Sequence, residues 1–99
     1  MRVAIVEDEL SSQNKIRSYL EMFEKETKIP IQSETLADGT EIVERYHAGQ
    51  KYDVILLDIE MVHMDGMKAA GMIRELDEDA ILMFITNMAQ YVMKGYEVS

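Results

Sequence analysis

The sequence predicts an α/β fold: a parallel sheet with helices on both faces. Three observations predict it. Short apolar runs alternate with helical patterns along the chain, the order expected of linked βαβ units. The runs at residues 3–6, 54–57 and Ile81–Ile85 are apolar throughout, as strands covered on both faces should be. Polar residues that can do chemistry follow each of these runs directly, where α/β sheets bind ligands.

The elements follow in order. Residues 3–6 form a compact β-rich run that ends at Glu7-Asp8. A helix is expected over residues 10–26, with Ile16, Tyr19, Leu20 and Phe23 on one face at i, i+3, i+4 and i+7. Pro30 marks the break, and residues 31–36 read as a more polar second strand. Asp38 and Glu41 have the spacing of a capping box, followed by a stripe of Ile42, Val43 and Tyr46. Gly49 suits a helix stop. His47 lies near that helix C-terminus, where a cation is favoured. The third strand, residues 54–57, runs straight into Asp58. A loop over residues 59–66 closes at Asp65-Gly66, and a third helix turns Met67, Ala70, Ile73 and Leu76 inward. Asp77, Glu78 and Asp79 read as a solvated turn. Ile81–Ile85 is the fourth strand, Thr86 follows it, and a last helical stretch is expected over residues 88–98. No repeat or linker interrupts the pattern. Right-handed crossovers leave few arrangements, and the flavodoxin-like order 2-1-3-4 is the common one.

Composition narrows the function. The 99 residues suffice for one domain. The net charge of −9 opposes binding to nucleic acid or to anionic membranes. There is no Cys, hence no disulfide and no thiolate metal site. No apolar run approaches the roughly 20 residues of a membrane span, and the first residues do not read as a signal peptide. A cytoplasmic location is expected. The nine Met residues read mostly as core filler, and His63 as a plain loop residue.

In the 2-1-3-4 order, Glu7, Asp8 and Asp58 meet in one crevice, with Thr86 on the same edge. Two like charges ~4 Å apart repel by about 4 kcal/mol at an effective dielectric near 20. Such a cluster needs a cation or a retained proton. Oxygen-only ligands favour a hard cation, and Mg²⁺ suits carboxylates, waters and phosphate together. The lack of Cys, and of His near these strand ends, weighs against zinc. A carboxylate beside Mg²⁺ can attack phosphorus and form an acyl phosphate. Asp58 is the expected nucleophile, Asp8 the expected metal ligand with Glu7 assisting, and Thr86 the hydroxyl donor to a phosphoryl oxygen.

The segments IVEDE, VILLDIEMVHMDGM and MFITNM resemble the receiver domains of two-component response regulators, and the likeness runs along the whole chain. The resemblance implies the CheY-like version of the flavodoxin-like fold. It makes Asp58 the phosphoacceptor and Glu7-Asp8 the acidic pair, where the family more often has two aspartates. It adds Glu60 as a metal ligand through its backbone carbonyl, and makes Thr86 the switch hydroxyl. Residues 64–67 match a loop that usually reads P-x-x-D-G, here without its proline. The implied partners are a sensor histidine kinase and a covalently linked output domain. The tail NMAQYVMKGYEV is similar to receivers that precede a LytTR-type DNA-binding domain, which implies transcription regulation. The family also has a fifth strand, a Lys-Pro pair and a fifth helix. Lys94 is not that lysine, so residues 1–99 are expected to be a single receiver domain incomplete at its C-terminus, lacking that strand and helix. A bare fourth-strand edge would then invite a homodimer or strand exchange.

On this reading the module modifies only its own Asp58 and turns over no external substrate. Two alternatives stand beside it. One is a Mg²⁺-dependent phosphatase of the haloacid-dehalogenase type, which wants an Asp where Glu60 stands. The other is a degenerate receiver that only binds partners.

Overall fold

We describe the protein from a computed structural model over residues 1–59 and 64–85. Four strands and three helices alternate: β1 (Arg2–Val6), α1 (Leu10–Thr27), β2 (Gln32–Leu36), α2 (Gly39–His47), β3 (Val54–Asp58), α3 (Gly66–Leu76) and β4 (Ile81–Ile85). All pairings are parallel and the sheet order is β2-β1-β3-β4. The CheY-like α/β fold and the strand order expected from the sequence are therefore both present. The helical stretch expected over residues 88–98 lies outside the described residues.

Strand pleating sorts the core into two halves. Val3, Ile5 and Leu56 face α1 and pack with Ile16 and Leu20. Ala4, Val6, Ile55, Leu57 and Leu82 face the other way and pack with Ile42, Val43, Ala70 and Ile73 of α2 and α3. β1 is central, and four of its five residues are buried. β2 lies at one edge, which explains its polar sequence.

Three sequence expectations need correction. Tyr19 and Phe23 do not pack under α1: they are 58% and 42% exposed. Ile16 and Leu20 carry the contact with the sheet, while Tyr19 and Phe23 line an open groove with Met83 and Ile85. In α3 the inward stripe is rotated, with Ala69, Ala70 and Ile73 buried and Leu76 half exposed. Small alanines there let α3 approach the sheet and α2. Asp77 is not a solvated turn residue. It is buried, accepts a hydrogen bond from the Tyr46 hydroxyl at 2.9 Å, and caps the amides of Asp79 and Ala80. Burial opposes its charge, but these three donors outweigh burial and hold its carboxyl below the usual range.

The helix boundaries have local causes. The Asp38 carboxylate accepts from the amides of Thr40 and Glu41, and Glu41 reaches back to the amide of Ala37. Asp65 caps α3 through the amide of Lys68. Lys28 ends α1 in the left-handed region, with its N–H bound to the carbonyl of Glu24. Gly49, at φ +86°, follows α2 where only glycine turns without strain.

Candidate functional site: an acidic cluster at the carboxyl edge

β1 and β3 are neighbours in register, Val6 opposite Leu57. The residues that follow them therefore converge. Glu7 continues the β1 ladder for one more bond, donating its N–H to the carbonyl of Leu36 at 3.0 Å. Asp8 comes next, and Asp58 is the last residue of β3. One carboxylate oxygen from each of Glu7, Asp8 and Asp58 lies within 4.8 Å of the other two. Glu7 is buried, Asp58 half-buried and Asp8 exposed.

Glu7 feels this most. Burial raises its pKa first, and the charges of Asp58 and Asp8 add to the rise, to about 7. A hydrogen bond from the amide of Glu9 to its Oε1 works in the other direction. At neutral pH Glu7 is therefore shared between its acid and its carboxylate. Its backbone is fixed from α1, because the Gln13 side-chain amide donates to the Glu7 carbonyl at 2.6 Å.

The donor set decides which ion fits. Three carboxylates of graded exposure, with no His in the group, match a hard divalent cation that keeps several waters. The ligand spacing leaves a place for one ion between the acids.

Of the five residues singled out in the sequence, the structure brings Glu7, Asp8 and Asp58 together. Glu60 and Thr86 lie outside the described residues. Two glycines, Gly66 and Gly39, have contacts that the sequence reading did not foresee. Gly66 sits so close to β3 that a Cβ there would collide with the backbone carbonyl of Asp58, and its N–H donates to the carbonyl of Ile59 at 2.9 Å. Gly39, the buried first residue of α2, donates its N–H to the carbonyl of Met64 at 3.3 Å. Both glycines were visible as residues at helix starts, yet nothing in the spacing tells what their missing side chains make room for. A groove of about 810 Å³ also adjoins the cluster, lined by Glu7 and Asp58 and by Tyr19, Phe23, Met83 and Ile85.

The chain is similar to known proteins in sequence and in fold. Sensory transduction protein LytT of Bacillus anthracis is 24% identical over 98 residues, covering 99% of this chain and 38% of that protein. Two-component response regulator 24 of Arabidopsis thaliana is 31% identical over 62 residues, 63% of this chain and 45% of that one. The chain thus spans less than half of the curated relatives it matches. Among solved structures, response regulator TrrA of Thermotoga maritima in complex with Mg²⁺–BeF superposes with a TM-score of 0.73 at 27% identity, over 99% of this chain and 80% of that one. A complex of histidine kinase ThkA with TrrA gives a TM-score of 0.73 at 26% identity, over 92% and 72%. The sequence model of the response regulator receiver domain matches residues 3–99. That match reaches all four strands, all three helices and each acid of the cluster, so the chain belongs to the response regulator receiver family.

Proposed function

We propose that this receiver is a phosphoacceptor, and that Asp58 takes a phosphoryl group from a sensor histidine kinase. The observation that carries the proposal is the meeting of Glu7, Asp8 and Asp58 within 4.8 Å. Three acids so close need a cation or a retained proton, and a cation relieves all three at once. Their oxygen-only character supports Mg²⁺, and the related TrrA carries Mg²⁺–BeF. In this reading Asp8 and Glu7 hold the ion together with Asp58 and the backbone carbonyl of Glu60. Bound Mg²⁺ supplies charge neutralisation between the acids and an incoming phosphoryl group.

The chain's own residues do the rest. Asp58 is held at the end of a buried strand, so its carboxylate is presented in one place. A carboxylate oxygen forms a bond to phosphorus. The bond from phosphorus to the donor atom breaks, and its electron pair leaves with the donor. The product is an acyl phosphate on Asp58. Thr86 then donates its hydroxyl hydrogen to a phosphoryl oxygen, a bond worth roughly 1.5–3 kcal/mol. That is the scale of a typical allosteric coupling of about 1–3 kcal/mol. The receiver of a kinase-coupled pair changes surface rather than turning over substrate. The switched partner is an output domain in the same protein. The likeness to LytT, at 24% identity, supports a LytTR-type DNA-binding output and a role in transcription. A cytoplasmic site suits this partnership. No described helix is long and apolar enough to cross a membrane.

The test is direct. The full-length protein is incubated with Mg²⁺ and acetyl phosphate, and its intact mass is read, with Asp58→Asn in parallel. We expect one added phosphoryl group on the wild type, none on Asp58→Asn, and none when EDTA removes the metal. A folded wild-type protein that gains no mass would overturn the proposal, and a role as a partner-binding module would replace it.

A further inference from the structure

From the contacts of its amide and of its missing side chain, we infer that Gly39, the first residue of α2, is a positioning residue for the Asp58 loop. The inference rests on the phosphoacceptor reading of Asp58 and adds to it a second element that sets the geometry of the reaction.

The argument begins at the helix end. The first N–H groups of a helix have no acceptor within it. In α2 the Asp38 carboxylate takes those of Thr40 and Glu41. The N–H of Gly39 goes instead to the carbonyl of Met64, in the loop between β3 and α3. Two residues on from Met64, Gly66 lies against the carbonyl of Asp58, and its N–H is bound to the carbonyl of Ile59. The segment that leads into α3 is thus held at two nearby points, Met64 to α2 and Gly66 to the end of β3. A displacement of Met64 has a backbone route of two residues to Gly66 and, through it, to Asp58.

The space at Gly39 shows how tight the tie is. A Cβ there would stand 2.7 Å from the Met64 carbonyl oxygen, 2.9 Å from the Cβ of Ala69 and 3.2 Å from the Cβ of Met64. None of these is the far end of a flexible side chain. Any side chain at position 39 must push the loop away from α2 or push α2 away from α3. Gly71 in α3 offers the contrast, since nothing lies within 4 Å of a Cβ built there.

The experiment compares wild type, Gly39→Ala, Gly71→Ala and the double variant Gly39→Ala/Ala69→Gly in the full-length protein. Phosphoryl uptake from acetyl phosphate is followed at saturating Mg²⁺, and urea midpoints are taken alongside. We expect Gly39→Ala to lower the maximal rate about tenfold or more, since misplacing a reacting group by 1 Å can cost a hundredfold. Gly71→Ala should react as the wild type does. Ala69→Gly removes one of the three close contacts, so the double variant should recover part of the rate. It should do so while becoming less stable, because a glycine inside a helix costs roughly 0.5–1 kcal/mol. Rate and stability moving in opposite directions is a result that a purely structural role for Gly39 does not give. Uptake by Gly39→Ala at the wild-type rate overturns the inference alone. A rate that merely tracks stability through all four proteins does so too. A wild type that takes up no phosphoryl group removes the phosphoacceptor reading, and this inference with it. If Gly39→Ala does not fold, the wild-type protein decides: its Gly39 amide resonance should shift on phosphorylation, and a stationary resonance overturns the inference.

Discussion

Glu7 is where charge and burial conflict most sharply. Its pKa stands near 7 in the folded protein against an ordinary 4.5. Between those values the folded state keeps a proton that the unfolded chain has lost. Stability of the metal-free protein therefore falls as pH rises through this window. Glu7→Gln cannot lose a proton there. We expect urea midpoints of the metal-free wild type to drop from about pH 5 to about pH 8, and those of Glu7→Gln to stay flatter. Mg²⁺ should raise the wild-type midpoint most at the higher pH, because below the window the cation competes with a proton for Glu7. Equal slopes for the two proteins would show that Glu7 ionises as an ordinary exposed acid does. The acid pair itself was legible in the sequence, because an apolar strand that stops at two acids marks a sheet edge. The buried state of Glu7 was not, since it depends on Leu36 extending the β1–β2 ladder by one bond. Asp77 was misread for a related reason. A run of three acids looks solvated until Tyr46, 31 residues away, is found to donate to it.

Among the elements, the strands were read to within a residue or two, and Ile81–Ile85 without change. Apolar runs bounded by charge leave little choice of register. The existence of α1, α2 and α3 was equally legible, but helix faces were not. Tyr19 and Phe23 obey the helical period of Ile16 and share a groove with Met83 and Ile85, yet they stay exposed, because periodicity gives the direction of a stripe and not what covers it. The fastening of α2 to the end of α3 was invisible in the sequence. There the Tyr46 hydroxyl donates to Asp77 and accepts from the amide of Tyr52. Arg74 adds bonds to the carbonyls of Asp77, Glu78 and Ala80. Tyr46→Phe keeps the ring and removes the hydroxyl. It should cost roughly 1.5–3 kcal/mol, the worth of a hydrogen bond to a charged group. Chemical denaturation measures that cost, and Mg²⁺ affinity at the opposite end of the sheet should not change. A loss of Mg²⁺ binding in this variant would mean that the two ends of the sheet are coupled.

At the scale of the whole molecule, β4 is the outer strand of the described sheet, and Ile81 and Met83 on it are 56% and 51% exposed. Unpaired strand edges with apolar side chains recruit other strands. We expect a chain of these 99 residues to self-associate, with a mass above the monomer by light scattering at high concentration. Ile81→Lys should return it to a monomer, since a charge on an edge strand opposes pairing. A monomeric mass for the unaltered chain at every concentration would dismiss the idea. The fold class was legible at this scale because alternating elements with right-handed crossovers admit few sheets.

The parallel sheet also governs how the chain must assemble. No hairpin occurs in it, so no strand can find a partner close by. Arg2 pairs with Gln32, and Val3 with Val54, 51 positions further on. Closing such loops is an entropic debt met before any contact rewards it, and topologies of this kind fold slowly. During synthesis β1 emerges before the other three described strands and ends at the centre of the sheet. It stays half-covered until some fifty more residues have emerged, about 3–10 seconds at usual rates of translation. The strand that will hold Glu7 in place is thus, of the four described strands, the one that waits longest for its partners.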